Sequence, residues 1–207
     1  MTTNRRGDDP VLFKRFCDLY PHADDESYKA HVIQQGLRNY PYRGDGLCYF
    51  VLSHQKRIKI NAAMNIPPNG VEVLELPAPA CQYGVMMEGQ AMKVWVGLEL
   101  LCCRRKYEKN SCVSGAVYVV DGWDATTITV KLHSDYTETE QRIILGHNKA
   151  AEILRLQHAL CYASIQGRTF RDTHIVLLDF DNPNVSMRDI ITAMSRTTNG
   201  RYLHFGP

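Results

Sequence analysis

Ala163-Ser164-Ile165-Gln166-Gly167-Arg168-Thr169-Phe170 is the stretch whose reading decides the fold. It is followed by the apolar run His174-Ile175-Val176-Leu177-Leu178-Asp179, and then by Ile190-Ile191-Thr192-Ala193-Met194-Ser195-Arg196. In order, these read as a loop with a short helix, a buried strand, and a helix carrying an arginine. A short, continuous apolar run between turn signals is the mark of a strand covered on both faces, as in α/β sheets. Loop, strand and helix in this order build an edge on which phosphate can be handled.

Working outward, His158 to Tyr162 is a candidate strand that delivers Ser164 to Thr169. Leu47 to Leu52 is a second buried strand by length and residue type. Ser53-His54 follows, and then a helix runs through Asn61-Ala62-Ala63-Met64. Strand, polar turn and helix N-terminus together offer backbone N–H groups to an anion, and Lys56, Arg57 and Lys59 add positive charge there. The plainer reading makes Ser53 an N-cap and the lysines a solvated face. Upstream, Pro10 opens a short helix that stops before Pro21, and Asp25 to Asn39 is a second helix with Tyr28, Val32, Ile33 and Leu37 as its inward stripe. Neither carries a chemical signal.

The middle of the chain is of another kind. Ile66 to Gly89 is rich in proline and turn residues, with Val71 to Leu76 as a candidate edge strand. Trp95 to Cys103 is apolar and starts a β unit. Arg104-Arg105-Lys106-Tyr107-Glu108-Lys109-Asn110 interrupts it as a charged excursion, and Ser114-Gly115 is a turn. Val117 to Val120 and Thr126 to Leu132 are two β-rich runs, joined by Asp121-Gly122-Trp123-Asp124. A small antiparallel barrel or ribbon fits this pattern. Its basic excursion beside Tyr107 and Trp123 is suited to nucleic-acid phosphates and stacking; a solvated loop with a core tryptophan fits the same residues. Thr137 and Glu140 form a capping box before a helix with Ile143, Ile144 and Leu145, which Gly146 breaks ahead of Asn148 to Leu156.

The totals exclude several classes. The 207 residues suffice for a real core, and a formal charge of +2 argues against a globally basic nucleic-acid binder while leaving a local basic groove open. No apolar run reaches the roughly 18 residues of a membrane span, so no membrane partner is expected. The first ten residues lack the apolar core of a signal peptide. The seven cysteines are odd in number and form no Cys-x-x-Cys, which points to thiols in an intracellular, reducing compartment such as the nucleus, the cytoplasm or a viral replication site. No paired-ligand spacing indicates zinc, and no metal site is expected.

Together these landmarks resemble the C-terminal motor half of superfamily-one DNA helicases of the RecD/Pif type, the UvrD-like C-terminal domain. That family's motif V has the form Ala-x-Thr-x-His-x-x-Gln-Gly-x-Thr, and Ala159 to Thr169 occupies it here, with Cys161 in place of the Thr and Ala163 in place of the His. Its motif VI reads Tyr-Val-Ala-x-Ser-Arg, matched at Ala193, Ser195 and Arg196. Val51-Leu52-Ser53-His54 with Asn61 looks like motif IV. The resemblance covers residues 45 to 206. It implies an α/β, RecA-like parallel-sheet lobe over 45–94 and 133–207, an inserted SH3-like β-barrel over 95–132, and an N-terminal helical segment over 1–44.

The resemblance also implies roles. Arg196 would be the catalytic arginine finger that meets the γ-phosphate, with Gln166 and Gly167 beside it at the ATP. Ser53, His54, Ser164 and Thr169 would contact single-stranded DNA, or RNA, through phosphates, with Arg105 and Lys106 from the insert. No Gly-x-x-x-x-Gly-Lys-Ser/Thr and no Walker B strand occur in the sequence. The expectation is therefore a second motor lobe that needs a first RecA-like lobe, in cis or in trans, before it uses ATP and magnesium, and that does not hydrolyse ATP alone. Such a lobe should present an exposed Arg196 beside Gln166. Two alternatives stand beside it. A stand-alone single-strand-binding module would make Arg196 dispensable, and a scaffold would tie Arg196 into an internal salt bridge.

Overall fold

The computed structural model describes residues 7, 9–44, 46–79, 90–103, 112–133 and 142–206. In chain order the elements are α1 (Pro10–Leu19), α2 (Lys29–Asn39), β1 (Cys48–Val51), α3 (His54–Met64), β2 (Leu74–Leu76), β3 (Met92–Val94), β4 (Glu99–Cys102), β5 (Val117–Trp123), β6 (Thr127–Leu132), β7 (Arg142–Gly146), α4 (His147–Ile153), β8 (Leu154–Leu156), β9 (Ala159–Cys161), β10 (Ile175–Leu177), α5 (Met187–Met194) and β11 (Leu203–Phe205). The chain divides into two compact units, Met1–Ile60 with His158–Pro207, and Asn61–Gln157.

The first unit is built on a parallel sheet in the order β11-β10-β1-β9. Its strands are the apolar runs of the sequence. Phe50, Val51, Ile175, Val176 and Leu177 are completely buried, which is why these runs do not alternate. Register pairs Cys48 with Ile175, Tyr49 with Ala159, and Ile175 with Leu203. α1 begins at Pro10 because Asp9 caps it, its Oδ1 accepting from the N–H groups of Val11 and Leu12 at 2.9 Å each. α5 begins with a reciprocal capping box between Ser186 and Asp189. Between Asp25 and α2 the chain makes a 3-10 turn, Glu26–Tyr28, so the second helix starts later than the periodicity suggests.

The N-terminal helices are fastened to the C-terminal part of the same unit. Arg188 of α5 makes a two-pronged ion pair with Asp24 at 2.5 and 2.9 Å. The N–H of Met187 donates to Glu26 Oε1 at 2.8 Å, and the ammonium of Lys29 donates to the carbonyl of Val185. Asp9 Oδ2 accepts from the N–H of Gly200 at 2.8 Å. Gly36 of α2 lies so close to β11 that a Cβ there would sit 2.3 Å from the ring of Phe205, so only glycine allows the approach.

The second unit holds a five-stranded antiparallel sheet in the order β7-β6-β5-β4-β8, with β2 and β3 as a separate antiparallel pair. Leu100, Tyr118, Ile128, Val130, Leu154 and Leu156 form the heart of its core, with Trp95 and Trp123 packed against it. Trp123 therefore takes the core role. Asp121, Gly122 and Trp123 are not a connection: β5 runs on through them with a register shift between Val120 and Gly122, and the chain reverses at Asp124, whose carboxylate accepts from the N–H groups of Thr126 and Thr127.

The sequence reading fails at one further place. Ile143, Ile144 and Leu145 form strand β7, not a helix. Ile143 and Leu145 are buried while Arg142, Ile144 and Gly146 are exposed, so the true period is two. Gly146 then becomes the N-cap of α4, and Leu154–Leu156 leaves the helix to pair with β4 as β8. The capping box at Thr137 and Glu140 lies outside the described residues, as do Cys81 and the excursion with Arg105, Lys106 and Tyr107.

Candidate functional site

In an open parallel sheet, ligands collect outside the carboxyl ends of the strands. Here β1 leaves through Leu52 and Ser53 into α3, β9 leaves through Cys161 into the 3-10 turn Tyr162–Ile165, and β10 leaves through Leu178 and Asp179. Ser53 and His54 follow the first of these strands, and Ser164, Gln166, Gly167 and Thr169 follow the second.

α3 starts where the plainer reading put it. Ser53 Oγ accepts from the N–H of Lys56 at 3.1 Å, and the Ser53 carbonyl accepts from the N–H of Arg57 at 3.0 Å. The first turn is held from two sides. On one side, the Nδ1 of His54 lies 3.4 Å from Sγ of Cys161. On the other, the ammonium of Lys56 pairs with Asp179, whose second oxygen accepts from the N–H of Leu52 at 2.8 Å. Asp179 has a φ of +68°, the left-handed region that aspartate tolerates better than most residues. Lys56 is therefore neutralised by a nearly buried carboxylate, and Arg57 is itself buried. The basic face expected at this helix start shrinks accordingly.

The motif V stretch forms a tight turn. Gln166 has φ −59° and ψ +134°, Gly167 has φ +80°, and the N–H of Arg168 donates to the carbonyl of Ile165 at 3.2 Å. This is a type II turn, which needs glycine at its third position. Ser164, Gln166, Gly167 and Thr169 are all exposed, and nothing lies within 4 Å of where a Cβ on Gly167 would be. The turn's floor is apolar: Ile165 is fully buried, and Phe170 packs edge-on against Phe50 at 5.1 Å. Tyr162, 2% exposed, donates from its hydroxyl to the carbonyl of Leu178 at 2.8 Å; burial and the charge of Asp179 push its ionisation far up, so it stays a neutral strut. Burial likewise pushes the Cys48 thiol up to about 12, with the charge of Arg168 offsetting part of that.

Arg196 stands two residues past α5 and differs from expectation. It is only 8% exposed. Its Nε donates to the carbonyl of Thr192 at 3.0 Å and lies 3.1 Å from Ser195 Oγ, its Nη2 donates to the same hydroxyl at 2.7 Å, and its Nη1 donates to the carbonyl of Arg168 at 3.2 Å. The backbone continues the join: the N–H of Phe170 donates to the Arg196 carbonyl at 2.8 Å, and Phe170 pairs with Thr197. The structure thus brings the motif V turn and the motif VI residues together, but with the guanidinium turned inward onto carbonyls. The physical reason is the helix end. The Thr192 carbonyl at the end of α5, which also accepts from the Ser195 hydroxyl, and the Arg168 carbonyl are acceptors that one five-donor planar cation can reach together. The sequence offered no sign of this, since a motif match fixes the position of an arginine and not its rotamer.

Two residues of the site escaped the sequence reading. Cys161 was noted as a departure from the family motif, but its pairing with His54 spans 107 positions and leaves no local signal. Asp179 ends the apolar run that names β10, yet its positive φ and its double role become visible only in three dimensions. Among the described residues, no group of three His, Cys, Asp or Glu stands where it would hold a metal ion, and no helix is long and apolar enough to cross a membrane.

No family model and no curated protein sequence matches the chain. Solved structures do. A structure of two coordinating Pif1 helicases at forked double-stranded DNA superposes with a TM-score of 0.67 at 13% identity, covering 98% of this chain and 48% of that one. Bacteroides Pif1 bound to single-stranded DNA gives 0.61 at 14% identity, covering 97% and 49%. Pif1 from Candida albicans gives 0.59 at 13% identity, covering 93% and 53%. At such identities the likeness is one of fold, and this chain spans about half the length of the structures it matches. The polypeptide thus has the fold of a helicase domain, an α/β domain with a parallel sheet like that found in about half of a Pif1 helicase chain.

Proposed function

We propose that this chain is the second, RecA-like motor lobe of an ATP-dependent DNA helicase of the RecD/Pif type, with an SH3-like barrel inserted in it. The observation that carries the reading is the junction of the motif V turn with the end of α5, where Arg196 reaches the carbonyl of Arg168. Those two segments are the ones whose sequences match the family, and fold likeness to half of several Pif1 chains supports the same assignment.

In this reading Gln166, Gly167 and Arg196 face the nucleotide. Gly167 suits that task, because it is exposed and its missing Cβ leaves room for a phosphate to approach the backbone. Arg196 suits it only after giving up its internal acceptors. ATP and magnesium would be used only with a partner first lobe, which would supply the phosphate loop that this sequence lacks. Asp179 is committed to Lys56 and Leu52, so this unit adds no ready magnesium ligand there. Ser53, His54, Ser164 and Thr169, with Arg105 and Lys106, contact single-stranded DNA or RNA, inside the cell. A related Bacteroides Pif1 structure holds ADP-AlF3 and single-stranded DNA, which is the pairing of ligands the reading requires.

A second reading has its own observation. The inward rotamer of Arg196 is what a single-strand-binding module derived from a helicase, without motor activity, would tolerate indefinitely. The experiment is fluorescence anisotropy with labelled oligo-dT at two salt concentrations, followed by ATPase assays with a supplied first lobe. Salt-sensitive binding together with partner-dependent ATPase that Arg196→Ala abolishes is the result expected of the motor lobe. Binding with ATPase that ignores Arg196→Ala, or that never appears, favours the module. Magnesium-dependent ATPase by the chain alone would overturn both.

A further inference from the structure

We propose that Lys56 is a phosphate contact for single-stranded nucleic acid that Asp179 holds in check: the carboxylate occupies the ammonium until a phosphate of the strand displaces it. The proposal rests on the reading of Ser53 as a nucleic-acid contact, and adds to that site a cation and the group that restrains it. The resemblance gives a role to neither residue.

The two partners of this ion pair are unequally held. Asp179 is fixed on every side. Its side chain is only 10% exposed, its Oδ2 accepts from the N–H of Leu52 at 2.8 Å, and its carbonyl accepts from the N–H of Asn182 at 3.0 Å. The residue before it is pinned in turn, since the Leu178 carbonyl accepts from the Tyr162 hydroxyl at 2.8 Å. Lys56 is tied only through its backbone, whose N–H donates to Ser53 Oγ at 3.1 Å. Its side chain is 41% exposed and ends in an ammonium on a flexible four-carbon stem. The carboxylate is a fixed post and the ammonium is the part that can swing.

The energetics favour an exchange. An ion pair open to water on its lysine side contributes no more than about 1 kcal/mol, because water solvates the released ammonium well. A phosphate contact of the same ammonium also frees a counterion condensed on the strand, a gain that a carboxylate of the protein does not offer. When Lys56 leaves, Asp179 keeps the Leu52 N–H, so the carboxylate is not left without a donor. Ser53 completes the site. Its oxygen accepts from the Lys56 N–H, and a hydroxyl that accepts there can still donate its own hydrogen to a phosphate oxygen. One phosphate would thus meet a hydroxyl and an ammonium that start from adjoining points of the same turn.

The test is fluorescence anisotropy of labelled oligo-dT with the full chain at several salt concentrations, for the wild type, Asp179→Asn, Lys56→Gln and the double variant. Asp179→Asn keeps an acceptor for Leu52 and a residue that accepts positive φ, so it lifts the restraint and changes little else. It is expected to tighten binding about threefold, the scale of an exposed ion pair. In the Lys56→Gln background the same change should have no effect. Lys56→Gln should also flatten the salt dependence of the Asp179→Asn variant by about 0.7 in log–log slope, the share of one phosphate on a single strand. Tightening that survives Lys56→Gln is a general effect of the lost negative charge and overturns the proposal. Asp179→Asn binding no tighter than wild type overturns it as well; a loss of binding in Ser53→Ala then leaves the nucleic-acid reading standing. Binding that is absent, or indifferent to Ser53→Ala and Ser164→Ala together, removes that reading and the proposal with it. If Asp179→Asn does not fold, carbon-13 spectra of the wild-type carboxyl groups decide: the Asp179 resonance should move when oligo-dT is added, and a stationary one overturns the exchange.

Discussion

Arg196 and Arg168 are joined by a hydrogen bond from guanidinium to backbone carbonyl, 3.2 Å long, which ties the glycine-bearing turn to the end of α5. The same guanidinium holds the carbonyl of Thr192 and the hydroxyl of Ser195. Removing it takes a charged donor from three part-buried acceptors. Arg196→Ala should lower unfolding stability by about 2 kcal/mol, by the usual scale for hydrogen bonds to a charged group. Arg196→Lys should recover only part of that, because an ammonium cannot span acceptors that a planar fork reaches. Urea unfolding measures the loss. Hydrogen exchange should localise it, with faster exchange at the amides of Arg168 and Phe170. Unchanged exchange at both would show that the turn does not depend on Arg196.

Gly36→Ala tests the contact between α2 and β11. On an isolated helix this change is favourable. Here the new methyl would meet the ring of Phe205, which is only 1% exposed. A net destabilisation of about 1–3 kcal/mol is expected from overpacking. A variant with a higher melting temperature than the wild type would mean that the helix is not seated on Phe205.

Asp9 links pH to the N-terminal attachment. Burial pushes its carboxyl up, but the N–H groups of Leu12, Gly200 and Val11 outweigh that and hold it below the ordinary carboxylate value of 3.8. A depressed folded-state pKa stabilises at pH above the unfolded value, and that stability is lost as pH falls through the folded value. Asp9→Ala should therefore cost about 1 kcal/mol at neutral pH, the worth of an N-cap, and progressively less below pH 3.8. Parallel wild-type and variant curves across the acid range would contradict this.

Asp179 separates backbone strain from charge. Asp179→Asn keeps a residue that accepts positive φ and keeps an acceptor for the Leu52 amide, losing mainly the pair with half-exposed Lys56. Its cost should stay within about 1 kcal/mol. Asp179→Val removes the acceptor and puts a β-branched residue at a φ of +68°, so a cost of about 2–4 kcal/mol is expected. Thermal melts of the two variants give the comparison; equal losses would mean that the left-handed backbone at this position carries no strain.

Much of this was legible in the chain. The runs around Phe50 and Val176 announced strands buried on both faces, and Pro10 and Asn39 marked a helix start and a helix end where they occur. Residues 143–145 were illegible for a specific reason: Ile144 is apolar and exposed, so it filled the gap that would have shown alternation. The junction of Arg168 with Arg196 was half legible. Motif order put both segments at one site, but the direction of a side chain with several rotatable bonds is set by the acceptors it finds, and those are backbone carbonyls invisible in any sequence pattern. Cys161 with His54 was illegible because the pair depends on two strands ending level.

The parallel sheet imposes a timetable on folding. β1 lies between β10 and β9, and its neighbours reach it only after the whole Asn61–Gln157 excursion has been traversed. Each pairing closes a long loop before any ladder bond repays it, and such closures are slow even though their entropic cost rises only with the logarithm of length. The excursion pairs its strands largely with sequence neighbours, β5 with β6 and β6 with β7. It should gain protection first, shortening the effective loop, and β1 should be recruited late. In the interval Phe50 and Val51 are apolar strand residues without partners, and that is when this chain is most exposed to aggregation.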